Sequence, residues 1–334
     1  MKKWMVVFAA LSVAIGAYAQ NLKSYMPADA MIVGSANGNA ILESKFIRNL
    51  IFISTQKTME DILKEKGETM EQAKKRCGIA LFFLKATVAN PAPQMEGGAI
   101  VYGSQKDSYK DINTITQQSL DAELKKHTDI LAPLQQSGTK IELAKMVDKN
   151  AVLISMPNPA AIQIVLSGIT DRMFQVRFAM DKAVEKTPLK PLKQYSALTK
   201  MVDSKALLSV AIDVQAIAKL APQLQQDPVA ASIKTFSASI SEANNNLILQ
   251  SDIETMSPDA ANMIHAQLNA VFATMKNNPD ANAKAMADMI KLNLKGSNVE
   301  LKGTFPVEFL INMLKKSLAN VPQLNAPAAT PANK

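Results

Sequence analysis

The chain has 334 residues, 48% of them apolar and 5% aromatic, and its 37 Lys and Arg against 29 Asp and Glu give a formal net charge of +8. That apolar content suffices for one or two cores of ordinary domain size, whereas so few aromatic rings leave little for base stacking, so nucleic acid is not an expected partner. A single cysteine excludes an intramolecular disulfide, and two histidines with one thiol cannot furnish a zinc set.

Lys2 and Lys3 precede an apolar run from Trp4 to Ile15 that ends in Gly16 and the small-x-small triplet Ala17, Tyr18, Ala19. This is the pattern of a secretory signal peptide cut after Ala19, and the run falls well short of the ~20 residues that cross a bilayer as a helix. Gln20 stands where a lipoprotein would carry cysteine. The expected destination is the periplasm or the medium. Later apolar runs, "RNLIFISTQK" and "GIALFFLKATV", are broken by polar residues, so no transmembrane segment is expected after cleavage. Loss of Lys2 and Lys3 lowers the formal charge from +8 to +6.

The stretch "MPADAMIVGSANGNAILES", residues 26–44, reads as a strand, a turn and a helix start, with Asn37 as N-cap. Its apolar stripe is Ile41, Phe46 and Leu50. Next comes "TMEDILKEKGETMEQAKKR", a charged helix or helical pair around Gly67, and then Cys77, read as a buried structural thiol. Strands follow at Ile79–Val88 and Ala99–Gly103, separated by the turn-rich "ANPAPQMEGG". A helix is predicted from Tyr109 to Lys126, then a hairpin of "KIELAKM" and "AVLISM", then Pro157 opening a helix over "AAIQIVL". Residues 171–184 fit a strand and a helix equally, because Phe174, Val176, Phe178 and Met180 alternate while Met173, Val176, Met180, Ala183 and Val184 make a helical stripe.

The densest basic excess falls in residues 171–204, where seven cations meet four acids. Its "EKTPLKPLKQYSALTK" reads as a solvated linker, the alternative being a patch for anionic envelope polymer or lipid headgroups. Beyond it "DSKALLSVAIDVQAIAKL", residues 203–220, aligns without a gap on the opening stretch at an offset of 176, pairing Ala30 with Ala206, Asn37 with Asp213 and Ile41 with Ile217. The second copy continues with a hairpin, "TFSASISE" and "LILQSDIE", around Asn244 to Asn246, and a helix capped by Ser257 with Pro258 in its first turn. "NVELKGTF", Pro306 and "VEFLINML" repeat the strand, proline and helix order of the first half, and "PQLNAPAATPANK" reads as a disordered tail.

The expectation is therefore an α+β chain of two related halves, with mainly antiparallel sheets and helices packed on one face. Its parts are a signal peptide (1–19), a first half (20–170), a connector (171–204), a second half (205–320) and a tail (321–334). "MPADAMIV" behind a signal peptide, the charged helix before "GIALFFLKATV", the strand and helix of "GGAIVYGSQKDSYKDINTI" and "NAVLISMPNPAAIQIVL" resemble a loose group of exported bacterial proteins of unknown function. Those proteins similarly open on a Pro-x-Asp strand and repeat it. The resemblance implies the duplicated α+β body and export, and carries no catalytic residue, cofactor or activity.

Tests for chemistry return little. His265 lies in an Ala- and Met-rich helix and His127 at a helix end, neither within a ligand set. Ser35 follows a strand in "VGSANG", but the second copy has Ala211 there and no base is assignable. "GSANGN" and "SGTK" lack the spacing of a phosphate loop. No catalytic, metal or cofactor residue is assigned, and no motif singles out a pair of carboxylates. Met256, Met263, Met275, Met286, Met289 and Met313 fall on helical stripes, as core filler or as the lining of an adaptable apolar groove. The expected function is a non-enzymatic binding or structural protein of the periplasm or envelope. A carrier of lipid or another apolar ligand is the alternative, and an envelope hydrolase with unidentified carboxylates a third; the partner is an unknown envelope component or an apolar ligand.

Overall fold

Strand β1 (Ile32–Asn37) runs straight into helix α1 (Gly38–Glu43), because the Asn37 side chain accepts from the Ala40 amide and satisfies an orphan donor of the first turn. Strand β8 (Leu208–Asp213) and helix α7 (Val214–Ala218) repeat the device, with Asp213 accepting from the Ala216 amide. The two strands lie side by side, antiparallel, with Ile32 opposite Ile212 and Ser35 opposite Ser209. The structure, a computed structural model, describes residues 22–87, 93–103, 105, 108–126, 136–146, 150–157, 161–187 and 189–319. The expected signal peptide, His127 and the tail lie outside them.

After α1 the first half forms α2 (Lys45–Thr55), α3 (Met59–Glu65), α4 (Met70–Arg76), β2 (Ile79–Thr87), β3 (Gln94–Tyr102), α5 (Lys110–Asn113), α6 (Gln117–Lys126), β4 (Lys140–Lys145), β5 (Asn150–Met156), β6 (Ile162–Thr170) and β7 (Met173–Met180). After α7 come α8 (Pro222–Gln226), α9 (Pro228–Ser232), β9 (Ile233–Ala243), β10 (Asn246–Thr255), α10 (Pro258–Lys276), α11 (Ala281–Asp288), β11 (Ile290–Lys295), β12 (Asn298–Pro306) and α12 (Val307–Ala319). The strands form one twelve-stranded sheet in the order β11-β12-β10-β9-β8-β1-β2-β3-β7-β6-β5-β4, and every neighbouring pair is antiparallel. Read outward from its centre, β1-β2-β3-β7-β6 mirrors β8-β9-β10-β12-β11, with β5 and β4 added at one edge. The fold is α+β, in a single sheet where separate sheets were open.

Several local expectations are corrected. Ile162 to Leu166 of "AAIQIVL" belong to strand β6, because Ile162, Ile164 and Leu166 alternate with Gln163, Val165 and Ser167, and β-branched alternation outweighs the helix-opening Pro157. The strand matching β12 in the first half is thus β7 rather than "AVLISM", which is β5 of the additional hairpin. Ile41 and Leu50 share no helix, since Ser44 ends α1 and caps α2 through the Ile47 amide. Ile217 and Leu224 are split likewise between α7 and α8. Helix 109–126 breaks into α5 and α6, and the ambiguous stretch is strand β7, so the supposed connector begins inside the sheet. The charged region is a helical pair, α3 and α4, with Gly67 between them at a φ of +72°.

On one face, called the back, Val33, Leu81, Phe83 and Ile100 form a buried cluster with Leu22 and Met26 from before β1 and Leu198 and Val202 from after β7. The segment 181–203 is therefore a strap and not a solvated linker. Its backbone is tied down along its length: Thr187 O accepts from Arg177 Nη1 at 3.1 Å, Leu189 N donates to Gln175 Oε1 at 2.7 Å, Leu192 N to Ser24 O at 2.7 Å and Ser196 N to Met26 O at 3.2 Å. Asp203 O accepts from Ser35 Oγ at 3.1 Å, which gives that serine a structural task. On the opposite, front face, Ala261 and Ile264 of α10 pack with Ile253, Leu292, Leu294 and Val299 of the sheet.

Helix α2 is anchored to the second half. The Glu242 carboxylate at the end of β9 accepts from Ser44 Oγ (2.5 Å), Lys45 N (3.0 Å) and Phe46 N (3.1 Å), a charge-assisted cap on the positive helix end. Glu242→Ala is expected to cost about 2 kcal/mol, read by denaturant unfolding, and to raise amide exchange in α2 ahead of the sheet.

Candidate functional site

Side chains alternate across a strand, so the register shows what each face collects. One front-face row crosses all twelve strands without a polar residue. From β1 outward through the first half it is Ile32, Leu84, Gly97, Phe178, Ile164, Ile154 and Ile141. Through the second half it is Ile212, Phe236, Ile253, Val299 and Leu294. A second row beside it runs Gly34, Phe82, Ala99, Val176, Leu166, Val152 and Leu143.

The belt is covered unevenly. At the second-half end α10 closes over it, and Val299 is fully buried. At the other end Phe178, Val176, Ile164, Leu166, Val152 and Ile154 stay half-buried, and none of them belongs to a packed cluster among the described residues. Their sequence neighbours on the back are closed: Ala179, Val165 and Ala151 are 0% exposed. The same three strands are thus sealed on the back and, among the described residues, only partly covered on the front, where Tyr109 packs edge-on against Phe174 at a centroid distance of 4.6 Å. Each of the six front-face residues is only partly shielded, and a ligand that covered the remainder would gain roughly 25 cal/mol per Å² of apolar area.

Two glycines keep the belt smooth. A Cβ on Gly34 would stand 2.0 Å from the Phe82 ring, and one on Gly97 would stand 2.4 Å from the Phe178 ring. Both rings therefore lie flat on bare backbone and pave the sheet instead of rising from it. The methionines expected to fill a core do not: Met256 is 62% and Met263 37% exposed, while Met275, Met286, Met289 and Met313 are half-buried.

The remaining candidates are structural. Cys77 is fully buried, and burial first, with Glu68 second, pushes its thiol up to about 12, so it is no nucleophile at neutral pH. His265 is half-buried on α10 and contacts the Asn269 side chain. An open cleft at Lys57, Asp61, Lys64 and Glu65 has its acids engaged, Asp61 by the Thr58 capping box and Glu65 by Lys57. No group of three or more potential metal-ligating side chains occurs among the described residues.

A polar assembly lies on the back of the sheet, where Arg177, at 3% side-chain exposure, donates to Glu96 at 2.5 Å and Glu185 at 2.6 Å, and Lys182 donates to Glu96 at 3.0 Å. Burial raises the Glu96 carboxyl, but the bonds from Arg177 and Lys182 outweigh it and hold the group below the usual carboxylate range. These ions fasten the strap to the sheet.

A second pair of neighbouring acids, Asp252 and Glu300, sit opposite each other on the back face of β10 and β12, with Glu254 two residues along the strand from Asp252. Burial, then Glu300 and Glu254, raise the Asp252 carboxyl. A raised carboxyl penalises folding once it ionises, and the penalty vanishes as falling pH protonates it. Asp252→Asn is accordingly expected to raise stability by about 0.5 kcal/mol at pH 7, with the gap closing below about pH 4, checked by thermal melts across pH.

No family model matches the chain, and no curated protein matches it. Among solved structures it is similar to crystal form I of TP0453, with a TM-score of 0.39 at 9% identity over 90% of this chain and 99% of that one. Crystal form III of TP0453 scores 0.38 at 9% identity, covering 88% and 97%. A likeness this distant brings nothing about function to this chain.

Proposed function

We propose that this is an exported, non-enzymatic binding protein that carries an apolar, chain-like ligand, such as a lipid acyl chain, along the front of β7, β6 and β5. The observation behind it is the unbroken apolar row that crosses the sheet and stays half-open at its first-half end. A long flexible chain fits such a belt better than a compact solute, because the belt is extended and lacks the convergent polar groups that would fix a small molecule's orientation. Export rests on the Lys2 to Ala19 pattern.

The test is a titration with dansylundecanoic acid. The proposal expects a saturable, blue-shifted emission that oleate displaces. A linear, non-saturable response, or one that oleate leaves unchanged, overturns it.

A further inference from the structure

The strap does more than seal the back face. Between Glu185 and Asp203 it carries Lys186, Lys190, Lys193 and Lys200 and no acid, and all four lysines are exposed. Among them stand two large apolar side chains turned outward, Leu192 at 41% and Tyr195 at 43% exposure. Looseness does not explain that orientation. The Leu192 and Ser196 amides are bonded to the carbonyls of Ser24 and Met26, while Leu198 in the same segment is buried. The backbone is fixed, and it directs Leu192 and Tyr195 to solvent between lysines.

We propose that the strap docks the protein, back face first, onto an anionic lipid bilayer surface. Four ammonium groups supply attraction to lipid phosphates, and the leucine and tyrosine supply apolar and interfacial groups that seat among headgroups. A soluble anionic polymer would use the lysines but has no place for Leu192. A second copy of this chain would bring like charge against like. The docking surface lies on the face opposite the apolar belt, so this inference stands apart from the ligand reading and can fail alone.

The experiment is flotation of protein purified from its host with vesicles of phosphatidylcholine, with and without phosphatidylglycerol. Binding is expected only to the anionic vesicles and is expected to weaken as salt rises. At about fivefold per lysine charge removed, the charge-reversing triple variant K186E/K190E/K193E is expected to lose more than about a hundredfold in vesicle affinity. L192A/Y195A is expected to lose about tenfold and to leave the salt dependence in place. Both variants change exposed side chains, and unaltered thermal midpoints and oleate binding verify their folding. Equal binding to neutral vesicles overturns the proposal, as does anionic binding that survives the triple variant, which would place the contact on the exposed apolar residues of α2 or α10. Binding to dextran sulfate with none to vesicles overturns it in favour of a polymer.

Discussion

Arg177→Ala is expected to cost about 3 kcal/mol of folding stability, because it removes the most buried cation of the cluster and leaves Glu96 with weaker compensation. Among the described residues Glu96, 10% exposed as a side chain, would keep Lys182 at 3.0 Å and Lys85 at 3.8 Å. Thr187 would lose the donor that ties the strap to β7. Two readouts separate this from a uniform loss. Trypsin should cut at Lys186 and Lys193 well before the sheet opens, and acid sensitivity should fall. The sign follows from Glu96: its folded carboxyl lies below the ordinary value, so its contribution is present above about pH 4 and disappears as pH drops through the lowered value. The variant lacks the Arg177 part of that contribution, so its stability should change less between pH 6 and pH 3 than that of the parent. A fall as steep as the parent's would mean that the cluster is not what holds the strap.

Ile164→Asp is expected to weaken oleate binding at least about thirtyfold, roughly 2 kcal/mol, by setting a carboxylate in the middle of the apolar row. Ile164 is half-buried and lies between Phe178 and Ile154, so the exchange puts charge where a ligand would sit without opening the closed back face. Folding should therefore survive, with a loss nearer 1 kcal/mol than the cost of a core substitution. Ile164→Val is the control and should bind within about threefold of the parent. Val165→Asp, one residue along on the sealed face, should unfold the protein instead. If Ile164→Asp and the parent bind alike, the ligand does not lie on this face.

Where local chemistry decided the structure, the residues were readable. Asn37 and Asp213 gave both strand-to-helix corners, Ser257 and Pro258 gave α10, and Asn244 and Asn245, at φ of +51° and +59°, gave the β9–β10 turn. Competing local signals obscured other elements: Pro157 favours a helix while Ile162, Ile164 and Leu166 favour a strand, and the Ser44 cap lies inside an apolar stripe that continues across it. The belt was harder to find for a different reason. Alternation tells which residues share a face, but not which face is covered. Phe174, Val176, Phe178 and Met180 were visible as one row, whereas the strap that seals the other side is held by bonds from Ser24, Met26 and Gln175, partners that nothing near residues 187–196 announces. The methionine stripes lie on or beside helices of the second half and gave no signal of a surface on β5, β6 and β7.

The ligand claim is tested most directly by native mass spectrometry of the protein purified from its own host without detergent. The account expects a non-covalent apolar adduct that organic extraction releases, present in the parent and in Ile164→Val and depleted in Ile164→Asp. A parent that is consistently bare, or an adduct carried equally by Ile164→Asp, would contradict it.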